Sequence, residues 1–302
     1  MSAESRSLPL PQRRASRQWK EARLRPGAML LRRLRRSWTA LAGLVMVLSV
    51  ACLAIAAPFI SPHDPNEQFA QRLAPPSAEF PLGTDGLGRD LLSRLLHGAR
   101  PSMGASALAT TLIVSLGVCL GVAAGYVGGL LDEIIMRVVD ILLAFPSMLL
   151  ALAVVGVLGP GLHNVVVAAA SVWWADYARL TRALVLSVRA QPYLESARAV
   201  GASAWRTIFY HVLPNILPPL IVLASMEMGG LVLVIAGLSF LGVGAQPPAP
   251  EWGAMLNQGR PYFQVAPQLM LYPGLMITFT VLGFSLLGDG LRDVLDPRHH
   301  GR

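Results

Sequence analysis

The 302-residue chain is 54% hydrophobic and only 14% charged, with a mean hydropathy of +0.53. Soluble globular domains carry about 25% charged residues, so this balance excludes an ordinary soluble domain and marks an integral membrane protein. The net charge is +8, but eleven of the 25 basic residues precede Trp38 and a long apolar run comes after them; that is a topology signal rather than a phosphate-binding face, so nucleic acid is not an expected partner.

Lys20 is the only lysine. A G-x-x-x-x-G-K-[ST] loop, whose lysine must reach nucleotide phosphates, is therefore impossible, and any ATP hydrolysis must belong to another chain. Cys52 and Cys119 lie inside apolar runs, where packing rather than disulfide or metal chemistry is expected.

Residues 1–37 form a basic N-terminal tail in which Trp19, Leu24, Met29, Leu30, Leu31 and Leu34 are scattered among arginines. It reads equally as a helix in the headgroup plane or as a tail without structure. No cleavable signal peptide is expected, because the apolar core begins too late and runs too long. Six spans are predicted over 38–297, namely Thr39–Ile60, Pro101–Leu131, Ile141–Leu162, Asn164–Leu186, Pro218–Val243 and Pro267–Gly288, each long enough to cross a bilayer. Residues 298–302 are a short C-terminal tail. With the N-terminus inside, 20 basic residues fall on the cytoplasmic side and 5 on the external side, which places both termini and the 190–214 segment in the cytoplasm.

The external segment 61–100 holds Leu91, Leu92, Leu95 and Leu96 on one side of a short helix, and Arg89, Asp90 and Arg94 on the other. The pattern predicts an interfacial helix with its charges facing water. Arg137 with Asp140, and Asp176 with Arg179, stand at i, i+3, the spacing of intrahelical ion pairs. Arg179 and Arg182 sit where their heads can snorkel to the inner surface. Glu227 lies nine residues into the fifth span. A carboxylate at that depth must face a cavity or a partner; it either lines a pathway and meets a substrate ammonium, or hydrogen-bonds another helix. His63, His97 and His163 stand singly, and no nucleophile–base pair or carboxylate dyad is present, so an enzyme is not expected.

Residues 190–214 are the charge-bearing insertion in the greasy part of the chain. Pro192 suits the first position of a helix, Glu195 its first turn, Gly201 a left-handed helix end and Ser203 the cap of a second helix. Trp205, Ile208, Phe209 and Val212 then recur as one apolar stripe until Pro214, which is expected to break the helix.

This stretch resembles the E-A-A, x3, G, x9, I-x-L-P loop of membrane subunits of binding-protein-dependent ABC importers. It matches at Glu195, Ala197, Gly201, Leu213 and Pro214 and departs at Ser196 and His211. Leu82, Gly83, Thr84, Asp85, Gly88, Arg89 and Asp90 are similar to a signature of the dipeptide/oligopeptide/nickel branch, and the likeness covers roughly residues 38–297. The resemblance implies an all-α, type I ABC importer permease fold, the C-type subunit, in a bacterial inner membrane. It implies that Glu195, Ser196, Ala197, Gly201, Leu213 and Pro214 belong to a coupling segment that docks on an ATPase. It implies as partners a homologous second permease, two ATP-binding subunits holding ATP and Mg, and a periplasmic or lipid-anchored substrate-binding protein. The implied cargo is a di- or oligopeptide, with nickel or glutathione as alternatives. A secondary transporter would instead call for inverted repeats, and no two halves of the sequence align.

Overall fold

The structure, a computed structural model, describes residues 37–295, with 197–199 and 295 described by backbone alone. Both expectations for the basic tail, and the C-terminal tail 298–302, lie outside the described residues. Ten α-helices are formed among those described. They are α1 (Trp38–Ile60), α2 (Leu91–Val127), α3 (Gly129–Leu143), α4 (Ser147–Leu158), α5 (Leu162–Arg189), α6 (Pro192–Ala199), α7 (Ala204–Thr207), α8 (Leu213–Phe240), α9 (Trp252–Gly259) and α10 (Gln268–Leu295).

Four of the long helices are apolar enough to cross a membrane, and a fifth crossing results if the bent pair α3–α4 counts as one. The predicted third span is thus not a single rod. The stretch Ile141–Leu162 takes only the last three residues of α3 before all of α4, and the two helices meet at 94° around Ala144–Pro146, because a residue before proline is pushed out of the helical region and proline cannot donate to the preceding turn. Helix α5 has 28 residues but also carries Asp176, Arg179, Arg182 and Arg189, so composition alone does not single it out as a span.

The second span also differs from expectation. It begins ten residues early, at Leu91, where the Asp90 side chain accepts from the Ser93 backbone N–H at 2.9 Å and its hydroxyl at 2.5 Å. The predicted interfacial helix is therefore the first turn of α2, and Pro101 lies inside that helix. Arg89, Asp90 and Arg94 do not face water; they are 3%, 0% and 1% exposed.

Close backbone approach organises the bundle. Gly117, Gly121 and Gly125 repeat at every fourth residue of α2, and a Cβ placed on them would lie 2.4, 2.5 and 2.9 Å from the Cβ atoms of Tyr177, Thr181 and Val185 on α5. Small residues at this spacing are how membrane helices gain dispersion contact without a hydrophobic driving force. Gly43 on α1 meets α10 in the same way, 2.3 Å from the backbone nitrogen of Leu287. Gly121→Leu is therefore expected to separate α2 from α5 and cost about 1–3 kcal/mol, as overpacking does, whereas Gly104→Leu, with open space around it, is expected to be neutral. Thermal melts of the two variants in detergent check the difference.

Candidate functional site

The 190–214 segment closes one end of the bundle as two helices at a turn. In α6, Leu194 is fully buried and anchors the helix, while Glu195 in the first turn and Ser196 are exposed; Ser196 Oγ donates to Pro192 O at 3.1 Å. The Ala197 side chain lies outside the described residues. Gly201 takes φ +87° with open space around its missing Cβ, so its backbone conformation, rather than crowding, is what favours glycine there. Ser203 caps α7 as expected, accepting from Arg206 N at 3.4 Å.

Contrary to expectation, Pro214 does not break the helix. Residues Ile208–Val212 form a π turn, in which Leu213 N–H reaches back to Ile208 O, and the chain runs on without interruption into α8. The wider turn displaces the hydrogen-bond register just where proline has no N–H to offer. Ala204–Phe240 is consequently one continuous 37-residue helical rod, so the second helix of the segment runs directly into the span.

The expected apolar stripe divides. Val212 is fully buried and Ile208 half-buried, whereas Trp205 (72% exposed) and Phe209 turn outward and stack with ring centroids 5.6 Å apart. Tyr210 is exposed beside them, a residue the periodicity does not single out. Ile208, Phe209 and half-buried Leu213 border an apolar cleft of about 750 Å³ whose other wall is the Val118–Val122 face of α2. Asn215 Nδ2 donates to His211 O at 2.6 Å and to Tyr193 Oη at 3.3 Å, joining α6 to the rod. His211, where the loop pattern has an apolar residue, lies half-buried beside the Tyr193 ring.

The charged pairs near this end are interhelical rather than the intrahelical ones expected. Arg182 Nε and Nη2 bind both oxygens of Asp132 at 2.5 and 2.6 Å, and Arg179 pairs with Asp140 at 2.5 Å. Asp176 is therefore not the ion-pair partner of Arg179, nor Asp140 that of Arg137. The reason is the 94° bend, which swings α3 across α5 and offers the arginines closer carboxylates. Arg189 Nη1 donates to Gly125 O and Tyr126 O, both at 3.0 Å. Asp176 and Glu227 make no hydrogen bond or ion pair with any described residue; Glu227 is half-buried on α8 and Asp176 is exposed on α5.

At the opposite end the signature residues form a buried clasp. Asp85 accepts from Arg89 Nε at 2.7 Å and lies 3.6 Å from Arg94 Nε. Arg89 and Arg94 both donate to Gln258 Oε1 on α9, and Arg94 also to the carbonyls of Pro65 and Pro248. Glu251, fully buried, caps α9 through Gly253 N and Ala254 N and accepts from Ser102 Oγ at 2.9 Å. The His63 ring packs on Phe69 and Phe80 and lies 3.7 Å from Asp90. The clasp is not visible in the sequence, because Ser102 and Glu251 stand 149 residues apart and only the fold brings such partners together.

An all-α membrane bundle, with an amphipathic helix pair continuous with one of its long helices, has the architecture of an ABC importer permease. The fold is similar to that of a chain in the inward-facing MetNI methionine ABC transporter, with a TM-score of 0.56 at 19% identity over 68% of this chain and 97% of that one. The chain belongs to the family described as the binding-protein-dependent transport system inner membrane component, which its residues 117–300 match. Residues 25–76 match the N-terminal TM domain of oligopeptide transport permease C. Among its relatives, the dipeptide transport system permease protein DppC of Escherichia coli (strain K12) is 50% identical over 271 residues, covering 87% of this chain and 90% of that one. The di/tripeptide transport system permease protein DppC of Pseudomonas aeruginosa (strain UCBPP-PA14) is 48% identical, covering 86% and 88%. The glutathione transport system permease protein GsiD of Pectobacterium atrosepticum is 45% identical, covering 88% and 89%.

Proposed function

We propose that this chain is the non-catalytic membrane subunit of an ATP-driven importer of dipeptides or short oligopeptides in a bacterial inner membrane, forming half of the pore with a homologous second permease. The observation that carries the cargo assignment is the near full-length identity to relatives named for di- and tripeptide transport. The glutathione-named relative supports a second cargo of related chemistry, itself a tripeptide. Six membrane crossings are read from the six apolar stretches of the sequence, and both termini are placed inside by the basic-residue asymmetry.

In this mechanism ATP and Mg are bound by two partner ATPase subunits, and peptide is delivered by an external binding protein. The exposed α6–α7 pair, with Glu195, Ser196, Ala197 and Gly201, docks on an ATPase. Since α7 and α8 form one rod, a displacement of the pair tilts α8 rather than flexing a loop at Leu213–Pro214. Closure of the ATPases around ATP favours one tilt and their release the other, so access alternates by differential contacts in two states.

The test is uptake of a labelled dipeptide into proteoliposomes holding this chain, its second permease and both ATPases. Uptake is expected only with ATP inside and binding protein outside. Uptake by this chain alone, or without ATP, would contradict the assignment.

A further inference from the structure

The buried clasp opens onto a cavity. Asp85, Arg89 and Arg94 line a space of about 190 Å³, together with Gln258 of α9 and the half-buried Tyr262 just beyond it. A water takes up about 30 Å³ of liquid volume, so the space admits a small organic group. Two guanidiniums share the one carboxylate there, Arg89 Nη2 at 2.7 Å and Arg94 Nε at 3.6 Å from Asp85 Oδ2. The charged side chains of the lining therefore sum to one positive charge in excess. The carboxylate is also well occupied, since Oδ1 accepts from Leu87 N and Arg89 N, and Oδ2 from Arg89 Nε.

The unused groups are donors. Arg89 is 3% exposed and directs Nε and Nη2 to Asp85 and Gln258, whereas its Nη1, which carries two N–H groups, has no hydrogen-bond partner among the described residues. Guanidiniums only donate, so Gln258 must turn its oxygen towards them. Its Oε1 accepts from Arg89 at 2.8 Å and from Arg94 at 3.3 Å, and its Nε2 has no hydrogen-bond partner among the described residues. Beside these donors the walls are apolar, with Leu91, Met255 and Leu269 at 2%, 4% and 3% exposure.

Arginine N–H groups pair best with a planar carboxylate, whose two oxygens match the guanidinium fork. Chloride or phosphate would answer the charge but would leave the apolar walls without a partner. We infer that the cavity is a binding site for a carboxylate carried on a short apolar stem. It lies at the end of the bundle opposite the 190–214 pair, which is the external end in the topology proposed above. Two molecules present that group to the outer face of the proposed importer. One is the cargo peptide, through its C-terminal residue, and the other is the binding protein, through an acidic side chain.

The experiment uses the complete transporter in nanodiscs, where both faces meet solution and the result is independent of orientation. N-acetylalanine is the probe and its amide the control, each followed by saturation-transfer NMR on the methyl signals. The acid is expected to bind about tenfold more tightly than the amide or better, the worth of a hydrogen bond to a charged group. Arg89→Lys keeps a cation beside Asp85 but lacks Nη1, and Met255→Phe narrows the cavity without touching its charges. Each is expected to weaken binding of the acid about tenfold, by a lost hydrogen bond in one and crowding in the other. Melting curves show whether either variant fails to fold, in which case the other carries the test. Equal binding of acid and amide, or undiminished binding of the acid by the folded variants, would overturn the site. Titrating peptide-free binding protein onto the same nanodiscs separates the two sources. If saturating N-acetylalanine, and not the amide, raises its Kd about tenfold, the carboxylate belongs to the binding protein; an unchanged Kd assigns it to the C-terminal residue of the cargo. Failure of the binding protein to dock at all would contradict the importer proposed above, while the comparison of acid with amide would stand.

Discussion

Glu195→Lys is expected to abolish ATP-driven uptake while leaving the chain folded and inserted. Glu195 is exposed in the first turn of α6 and makes no hydrogen bond or ion pair within the described residues. Its loss therefore costs the fold only the favourable placement of an anion at a helix N-terminus, about 0.3–1 kcal/mol, and reversal costs a similar amount again. At a docking surface the effect is larger. A charge placed wrongly in a closed interface costs about 2–5 kcal/mol, which is about 30-fold to several thousand-fold in affinity. Uptake should fall accordingly, and the ATPases should remain active but uncoupled from transport. Paired assays of dipeptide uptake and phosphate release on the assembled complex check both halves of this expectation. Gly201→Val is a backbone version of the same test, since a β-branched residue at φ +87° is strained by about 1–3 kcal/mol and misdirects α7 against α6.

Asp85→Ala is expected to be the most damaging substitution at the far end of the bundle. It leaves Arg89 and Arg94, both nearly inaccessible, without their anionic partner. Removing one member of a buried ion pair costs about 3–5 kcal/mol, a large share of the roughly 5–15 kcal/mol that stabilises a typical domain. The same carboxylate also accepts from Leu87 N and Arg89 N at 2.8 and 3.0 Å, so the turn that feeds α2 loses its support as well. For a protein of this size the loss corresponds to a drop in Tm of about 10 °C. Asp85→Asn keeps one acceptor oxygen for those two N–H groups and should lie between. Melting curves in detergent, with yield of folded protein as a second readout, measure the order wild type, Asn, Ala.

The two ends of the molecule are unequally legible in the sequence. The helix pair at 190–214 is readable because its determinants are local: Glu195 near the start of α6, a glycine at its end, a serine cap and periodic apolar residues all lie within one stretch. The continuity of Ala204–Phe240 is not readable, because the π turn that lets Pro214 pass carries no distinctive residue pattern. The wet or dry side of Arg89, Asp90 and Arg94 is hidden for a related reason. Helical periodicity separates a polar face from an apolar one, but a polar face is buried when distant groups such as Gln258 and the Pro248 carbonyl satisfy it. The ion pairs differ from expectation because i, i+3 spacing gives only the local option, and the bend at Pro146 supplies better carboxylates from α3.

The proposed function depends on the α6–α7 pair being a lever worked from the inner surface. The direct measurement places a single cysteine at Ser196 in a chain whose Cys52 and Cys119 are replaced by alanine, and follows oxidative cross-linking to cysteines introduced across the surface of the partner ATPase. A lever predicts a cross-link to the ATPase whose yield changes between nucleotide-free and ATP-bound states, with no labelling of intact cells by a membrane-impermeant thiol reagent. Labelling from outside, or a cross-link indifferent to nucleotide, would contradict it.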